Sequence, residues 1–253
     1  MLQNERQRKI LEQLKIKDAV KVKELAETLR ISESTIRRDI SELDQMGKLK
    51  KVFGGAVSVS GDMIFGPTDV ASRTLINVAE KDAIARYAAS LIQEHDFVFL
   101  DAGTTTEKMI DYLVQKNVTY VTNGVTHAKK LIQRGLSAYI IGGLLRPSTE
   151  AAVGTAAVEA IGQYNFSKCF MGANGIDLDR GFTTPDISEA AVKTAVMKQS
   201  AEAYVLADHA KFGRISSVTF AALNEARIIT DRMEHLAYEQ YTTVYQAEQV
   251  KKE

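Results

Sequence analysis

The chain of 253 residues has one cysteine, three prolines and no net charge, with 32 Lys and Arg against 32 Asp and Glu. A lone cysteine, Cys169, excludes an internal disulfide framework and a cysteine-rich zinc site, and it fits a reducing compartment. No apolar run approaches the ~20 residues needed to span a bilayer. The opening Met1-Leu2-Gln3-Asn4-Glu5-Arg6 has no signal-peptide core, so a cytoplasmic location is expected. Neither GxxxxGKS/T nor GxGxxG occurs, which sets aside the Walker and dinucleotide phosphate loops. Internal repeats and low-complexity stretches are absent, and nothing calls for a metal or an organic cofactor.

What is present is ordinary for a globular protein: 45% hydrophobic and 25% charged residues, enough for a substantial core. The zero charge is a cancellation. Residues 1–57 carry 13 basic and 9 acidic side chains, a net of +4, which leaves 19 and 23, a net of −4, for residues 58–253. A basic head on an acidic body is a pattern of nucleic-acid contact through the head. Small polar residues, glycine and Pro67 cluster between them, so residues 58–73 read as a linker and 74–253 as a second domain.

In the head, helices are expected over Leu2 to Ile16, Lys21 to Leu29 and Glu33 to Met46, from apolar residues at helical spacing. Arg30-Ile31-Ser32 joins the last two in a tight turn, which makes a helix-turn-helix. Ser32 is the expected N-cap. Ser34, Thr35, Arg37 and Arg38 fall off the apolar stripe near the start of the third helix, the part that meets base edges in a major groove. Arginine forks suit guanine or phosphate, and hydroxyls suit either. Lys48, Lys50, Lys51 and the glycine turn at Gly54 then read as a basic β-hairpin wing beside the groove.

The body alternates short apolar runs with helical stretches, which predicts a parallel α/β sheet. Phe97–Leu100, Thr119–Thr122, Ala138–Ile141, Lys168–Met171 and Ala203–Ala207 are its strands, and a helix is expected from near Glu107. Ligands in such sheets sit at the carboxyl ends of strands. Those ends supply Asp101, Gly103, Thr104, Thr105 and Thr106, then Thr122 and Asn123, Gly142 and Gly143, Asn174, and Asp208 with Lys211. Gly103 and the three hydroxyls have the parts of a phosphate cradle. Asp101 and Asp208 can accept from sugar hydroxyls. Glu189 and Lys193, four apart, read either as an exposed helix pair or as two side chains reaching the ligand.

The run Ser32-Glu33-Ser34-Thr35-Ile36-Arg37-Arg38-Asp39-Ile40, with Leu43, Gly47, Leu49 and Val52-Phe53-Gly54-Gly55-Ala56, resembles the N-terminal signature of DeoR-type bacterial repressors. Phe53 departs from the histidine common there. The strand ends above, with Gly172–Asp177 and Thr183–Lys193, resemble the C-terminal sensor domain of the same family. The resemblance implies a winged helix-turn-helix followed by a parallel α/β sensor domain like ribose-5-phosphate isomerase in fold. It implies a repressor of a sugar-utilisation operon, released from double-stranded DNA by a phosphorylated sugar, acting as a dimer or tetramer. The segments Thr122–His127 and Thr183–Asp186 look most like fructose-operon repressors of Gram-positive bacteria, which makes fructose 1-phosphate the first expectation, ahead of tagatose 6-phosphate or a hexitol phosphate. A sugar-phosphate isomerase with an accessory DNA-binding head is the alternative. It is disfavoured by Met171 and Asn174, which stand where the isomerases carry acidic residues, because moving a proton between adjacent carbons needs a base.

Overall fold

The computed structural model describes residues 3–17, 19–45, 49–58, 63–64, 70–233 and 236–247. Two compact units divide the chain, Met1–Met63 and Ile64–Glu253. Lys48 and most of the stretch read as a linker lie outside the described residues.

The first unit runs α1 (Gln3–Lys17), β1 (Ala19–Lys21), α2 (Val22–Leu29), α3 (Glu33–Gln45), β2 (Leu49–Val52) and β3 (Gly55–Ser58). Ile10 and Leu14, Leu25, then Ile36, Ile40 and Leu43 form the apolar stripes of the three helices, and these stripes meet in one core. A bidentate ion pair from Arg6 to the buried Asp39 joins α1 to α3. Arg30 ends α2 in the left-handed region, φ 54°, a conformation usually left to glycine. The wing has three strands, in the order β1-β3-β2, rather than two. β1 crosses β3 so closely that a Cβ on Gly55 would stand 2.1 Å from the Val20 carbonyl oxygen. That contact requires glycine. At three residues, β1 is too short to leave an alternation in the sequence.

A short strand, β4 (Met63–Ile64), lies at the division. The second unit continues with α4 (Val70–Thr74), α5 (Val78–Ser90), β5 (Phe97–Leu100), α6 (Thr104–Met109), β6 (Thr119–Thr122), α7 (Val125–Gln133), β7 (Ser137–Ile140), β8 (Leu144–Arg146), β9 (Ala151–Val153) and α8 (Thr155–Ile161). Then come β10 (Phe166–Gly172), β11 (Gly175–Asp177), β12 (Gly181–Thr184), α9 (Ile187–Lys198), β13 (Ser200–Leu206), β14 (Ile215–Ser216), β15 (Val218–Ala221), β16 (Arg227–Thr230) and β17 (Val244–Gln246).

Seven of these strands make one parallel sheet, in the order β17-β16-β13-β10-β5-β6-β7. Helices cover both faces, so alternate residues of a strand enter different cores. Val98 and Leu100 pack with Ile84, Met109, Leu131 and Phe170, while Phe99 packs with Val121, Cys169, Ala157 and Val196. Burial on both faces is why these strands read as unbroken apolar runs. Two antiparallel additions carry no such run: the β8–β9 hairpin and the sheet β11-β12-β15. The sheet grows in opposite directions from the β5/β10 pair, which is therefore the switch point where a crevice opens.

Candidate functional site

In the first unit the exposed face of α3 carries the expected DNA-contacting side chains. The Ser32 hydroxyl accepts from the Thr35 N–H at 3.4 Å and lies 2.8 Å and 3.1 Å from the Thr35 and Ser34 hydroxyls. Arg37 pairs with Glu33 at 2.6 Å and Arg38 with Glu42 at 3.4 Å, each one turn along α3. Both guanidinium groups are open to solvent. Such pairs are worth little, so they can be exchanged for phosphate or base contacts. Lys51 reaches from the wing to the Ser41 hydroxyl at 2.9 Å. Lys50 lies beside it on β2. Gly54 turns the hairpin at φ 80°, and Phe53 beside it is wholly exposed.

In the second unit a cleft opens at the carboxyl ends of β5, β10 and β13. Asp101, Gly103, Thr104, Thr105, Asn123, Asn174, Glu189, Lys193, Asp208 and Lys211 all line it. Asp101 follows β5; its carboxylate accepts from Lys193 of α9 and from the Gly172 N–H at 3.0 Å. Lys193 thus turns inward to Asp101 and is buried, rather than forming an exposed pair with Glu189. Asp186 caps α9, accepting from the Glu189 N–H at 2.9 Å, and the Thr184 hydroxyl links Asn174 (3.3 Å) to Glu189 (3.4 Å). No hydrogen bond to another described residue holds the Thr104 or Thr105 hydroxyl.

α6 begins at Thr104, three residues before the expected start, so the threonines belong to its first turn. Thr106, its third residue, is buried. Its hydroxyl accepts from the Gly103 N–H at 3.0 Å and donates to the Asp101 carbonyl at 2.5 Å. This is half of a capping box; glycine at the cap has no side chain to complete it. Thr106 therefore shapes the loop and does not line the cleft. Thr122 likewise spends its hydroxyl on the Leu100 carbonyl (2.7 Å) and the Gly124 N–H (3.0 Å). Asn123 lines the cleft, but its amide already ties the Ala102 N–H to the Ala152 carbonyl. Gly142 and Gly143 are not brought to the cleft. They form the exposed β7–β8 turn, where a Cβ on Gly143 would meet the Val153 carbonyl oxygen at 2.6 Å.

Several lining residues gave no signal in the sequence. Arg73 of α4, Ile76, Lys81 of α5 and Thr149 complete the wall. Lys81 is buried and donates to the Arg73 carbonyl. The Arg73 Nε is buried without a partner among the described residues. Asp208 is the carboxylate among these cations, and it accepts from Asn77 at 2.9 Å. Burial pushes the Lys81 amine down to about 8; Asp208 offsets part of this, and Lys211, Arg73 and Lys108 add to it. Burial also lowers Lys211, against the pull of Asp208. With Lys193 matched to Asp101, the carboxylates of Asp208 and Glu189 face three cations, Arg73, Lys81 and Lys211, so the cleft is one negative charge short. Both Arg73 and Lys81 precede the first strand of the sheet, where a helix-forming lysine looks like any solvated charge.

Beneath the loop, His127 is buried on α7. Its Nε2 lies 3.1 Å from the Gly103 carbonyl and 3.2 Å from the Thr106 hydroxyl. The carbonyl can only accept, so Nε2 carries the proton. Burial holds the imidazole down to about 4, despite Asp101 and the Gly103 contact. Met171 points into the core, and Asp177 accepts from the Asp179 and Arg180 N–H groups in a turn.

Residues 6–61 match the DeoR-like helix-turn-helix domain and residues 76–232 the DeoR C terminal sensor domain. The uncharacterized HTH-type transcriptional regulator FruR of Bacillus subtilis (strain 168) is 45% identical over 242 residues, covering 95% of this chain and 96% of that one. The lactose phosphotransferase system repressor of Staphylococcus aureus (strain N315) is 33% identical over 228 residues, covering 89% and 90%. Among solved structures, ribose 5 phosphate isomerase A from Neisseria gonorrhoeae aligns over 52% of each chain, with 14% identity and a TM-score of 0.40. No helix among the described residues is long and apolar enough to cross a membrane.

Proposed function

The chain belongs to the DeoR family of helix-turn-helix transcriptional regulators and is not an enzyme; from that premise we propose that it represses a sugar-utilisation operon from the cytoplasm and leaves its operator when a phosphorylated sugar fills the cleft. The observation that carries the effector's chemistry is the charge of the cleft. Arg73, Lys81 and Lys211 stand around Asp208, and even with Glu189 counted the four lining cations outnumber the three lining carboxylates, which leaves one negative charge to be supplied. A phosphate there supplies it, and the Thr104 and Thr105 hydroxyls donate to it. Asp101, Glu189, Asn174 and Asp208 then meet the hydroxyls of the sugar. Fructose 1-phosphate is the first candidate, on the resemblance of Thr122–His127 and Thr183–Asp186.

On the DNA side, Ser32, Ser34, Thr35, Arg37 and Arg38 enter the major groove, and Lys48, Lys50, Lys51 and Gly54 follow the backbone beside it. One such module reads one half-site, so the operator-bound form is a homo-oligomer. Release requires an effector that binds two states of the protein unequally. The test is a thermal-shift series with fructose 1-phosphate, tagatose 6-phosphate, fructose and inorganic phosphate, run beside mobility shifts on DNA upstream of the neighbouring sugar genes. A sugar phosphate at 100 times its dissociation constant stabilises by about 2.7 kcal/mol and releases the DNA. Stabilisation by none of the phosphorylated sugars sinks the effector assignment.

A further inference from the structure

The parallel sheet ends on one side at β7, Ser137-Ala138-Tyr139-Ile140. Edge strands are normally blunted by charge, proline, a bulge or a covering element. β7 carries no charge and no proline, and its register against β6 runs unbroken. Two of its side chains are instead apolar and open, one on each face: Tyr139 pairs in register with Val121 on the α8 and α9 side, and Ile140 with Thr122 on the other. Leu144 and Leu145 of β8 follow directly, and Ile132 stands on α7, which packs against β7. Exposure of these five runs from 50% at Ile140 to 72% at Leu144. Together they present on the order of 600 Å² of surface, the upper end of what a monomer leaves uncovered and not far below the ~800 Å² each partner gives to a standard interface.

We infer that this edge is where a second copy of the chain docks, joining the two sensor units about a two-fold axis. The inference rests on the reading of the protein as an operator-binding homo-oligomer, and it assigns the surface that such an oligomer needs. A second copy fits because a two-fold brings identical patches together, and here the five residues of the patch carry no charge that its own image would repel. The axis runs the two β7 strands antiparallel, so the free N–H and C=O groups of each edge face those of the other. Tyr139 and Leu144 of both copies then bury against one another.

Sedimentation velocity of the full-length chain tests this, with Tyr139→Glu and Leu144→Glu as variants and Val114→Glu, on an exposed residue outside the patch, as the control. The wild type sediments as a dimer or larger. Either β7-edge variant raises the dissociation constant at least ~100-fold, since each charge enters the interface twice, and Val114→Glu leaves the mass unchanged. A monomeric wild type overturns the assignment, whatever else then covers the edge. So does an oligomer that survives both edge charges, or one that Val114→Glu also breaks. Circular dichroism melting shows that each variant folds. Thermal shift with fructose 1-phosphate is read on the same samples: a response retained by a monomeric Leu144→Glu separates the interface from the cleft, and loss of the oligomer assignment leaves the effector assignment standing.

Discussion

Lys81 is the residue whose burial is hardest to explain by stability alone. A buried amine without a carboxylate in an ion pair costs free energy, and Lys81 carries its cost in a lowered proton affinity. Lys81→Met is therefore expected to raise the melting temperature of the free protein slightly while weakening fructose 1-phosphate at least ~10-fold, a trade between stability and function. Calorimetric titration and melting on the same sample check both halves. The sign of the pH dependence follows from the same group. Bound phosphate favours the charged amine, and below pH about 8 the amine is already charged. Above that it loses its proton in the free protein, so effector affinity falls as the pH rises through 8. His127 works in the other direction. Its imidazole is held neutral to about 4, whereas in the unfolded chain it charges near pH ~6.5. The unfolded state binds more protons between those values, so stability is lost as pH falls from 6.5 toward 4, by on the order of 3 kcal/mol. Denaturant melts of the wild type and His127→Phe should diverge in that window; parallel curves would remove His127 as the cause.

At the scale of elements, the proposed function puts operator affinity on α3 and the wing. Arg37→Ala and Arg38→Ala are expected to abolish operator binding at physiological salt and to leave the fructose 1-phosphate response intact. For every phosphate that a variant no longer neutralises, the salt dependence should also flatten by ~0.9 in slope, which anisotropy titrations resolve. Arg6→Ala strips Asp39 of its partner inside the head and should cost about 3 kcal/mol, read in the melting of that unit. These elements were legible because their chemistry is local. The Ser32 cap, the Ile36/Ile40/Leu43 stripe and the arginines lie within one helix. The strand ends were legible too, because Asp101, Asn174 and Asp208 each follow an apolar run. The rest depends on contacts made across the fold. Gly143 looks like a ligand glycine and serves a close approach to Val153. Thr106 looks like Thr104 and Thr105, yet a helix that starts three residues early turns its hydroxyl back onto the loop. Arg73 and Lys81 reach the cleft only because the α4–α5 segment lies over it, and nothing in their own neighbourhood says so.

At the scale of the whole molecule, regulator function is a linkage between two ligands. If fructose 1-phosphate weakens operator binding by some factor, the operator must weaken fructose 1-phosphate by the same factor. Titrating the sugar phosphate into protein with and without saturating operator measures this, and equal affinities in the two would exclude release by that ligand. The strand order has a further consequence, one of timing. Val98 of β5 pairs with Lys168 of β10, so the centre of the sheet joins segments made far apart in translation, a slow kind of pairing. The head, by contrast, lies within residues 1–63 and can fold during the roughly 10–40 s that the second unit, Ile64–Glu253, takes to make. Under the proposed function, each new molecule therefore acquires the means to read DNA before it acquires the means to be told to let go.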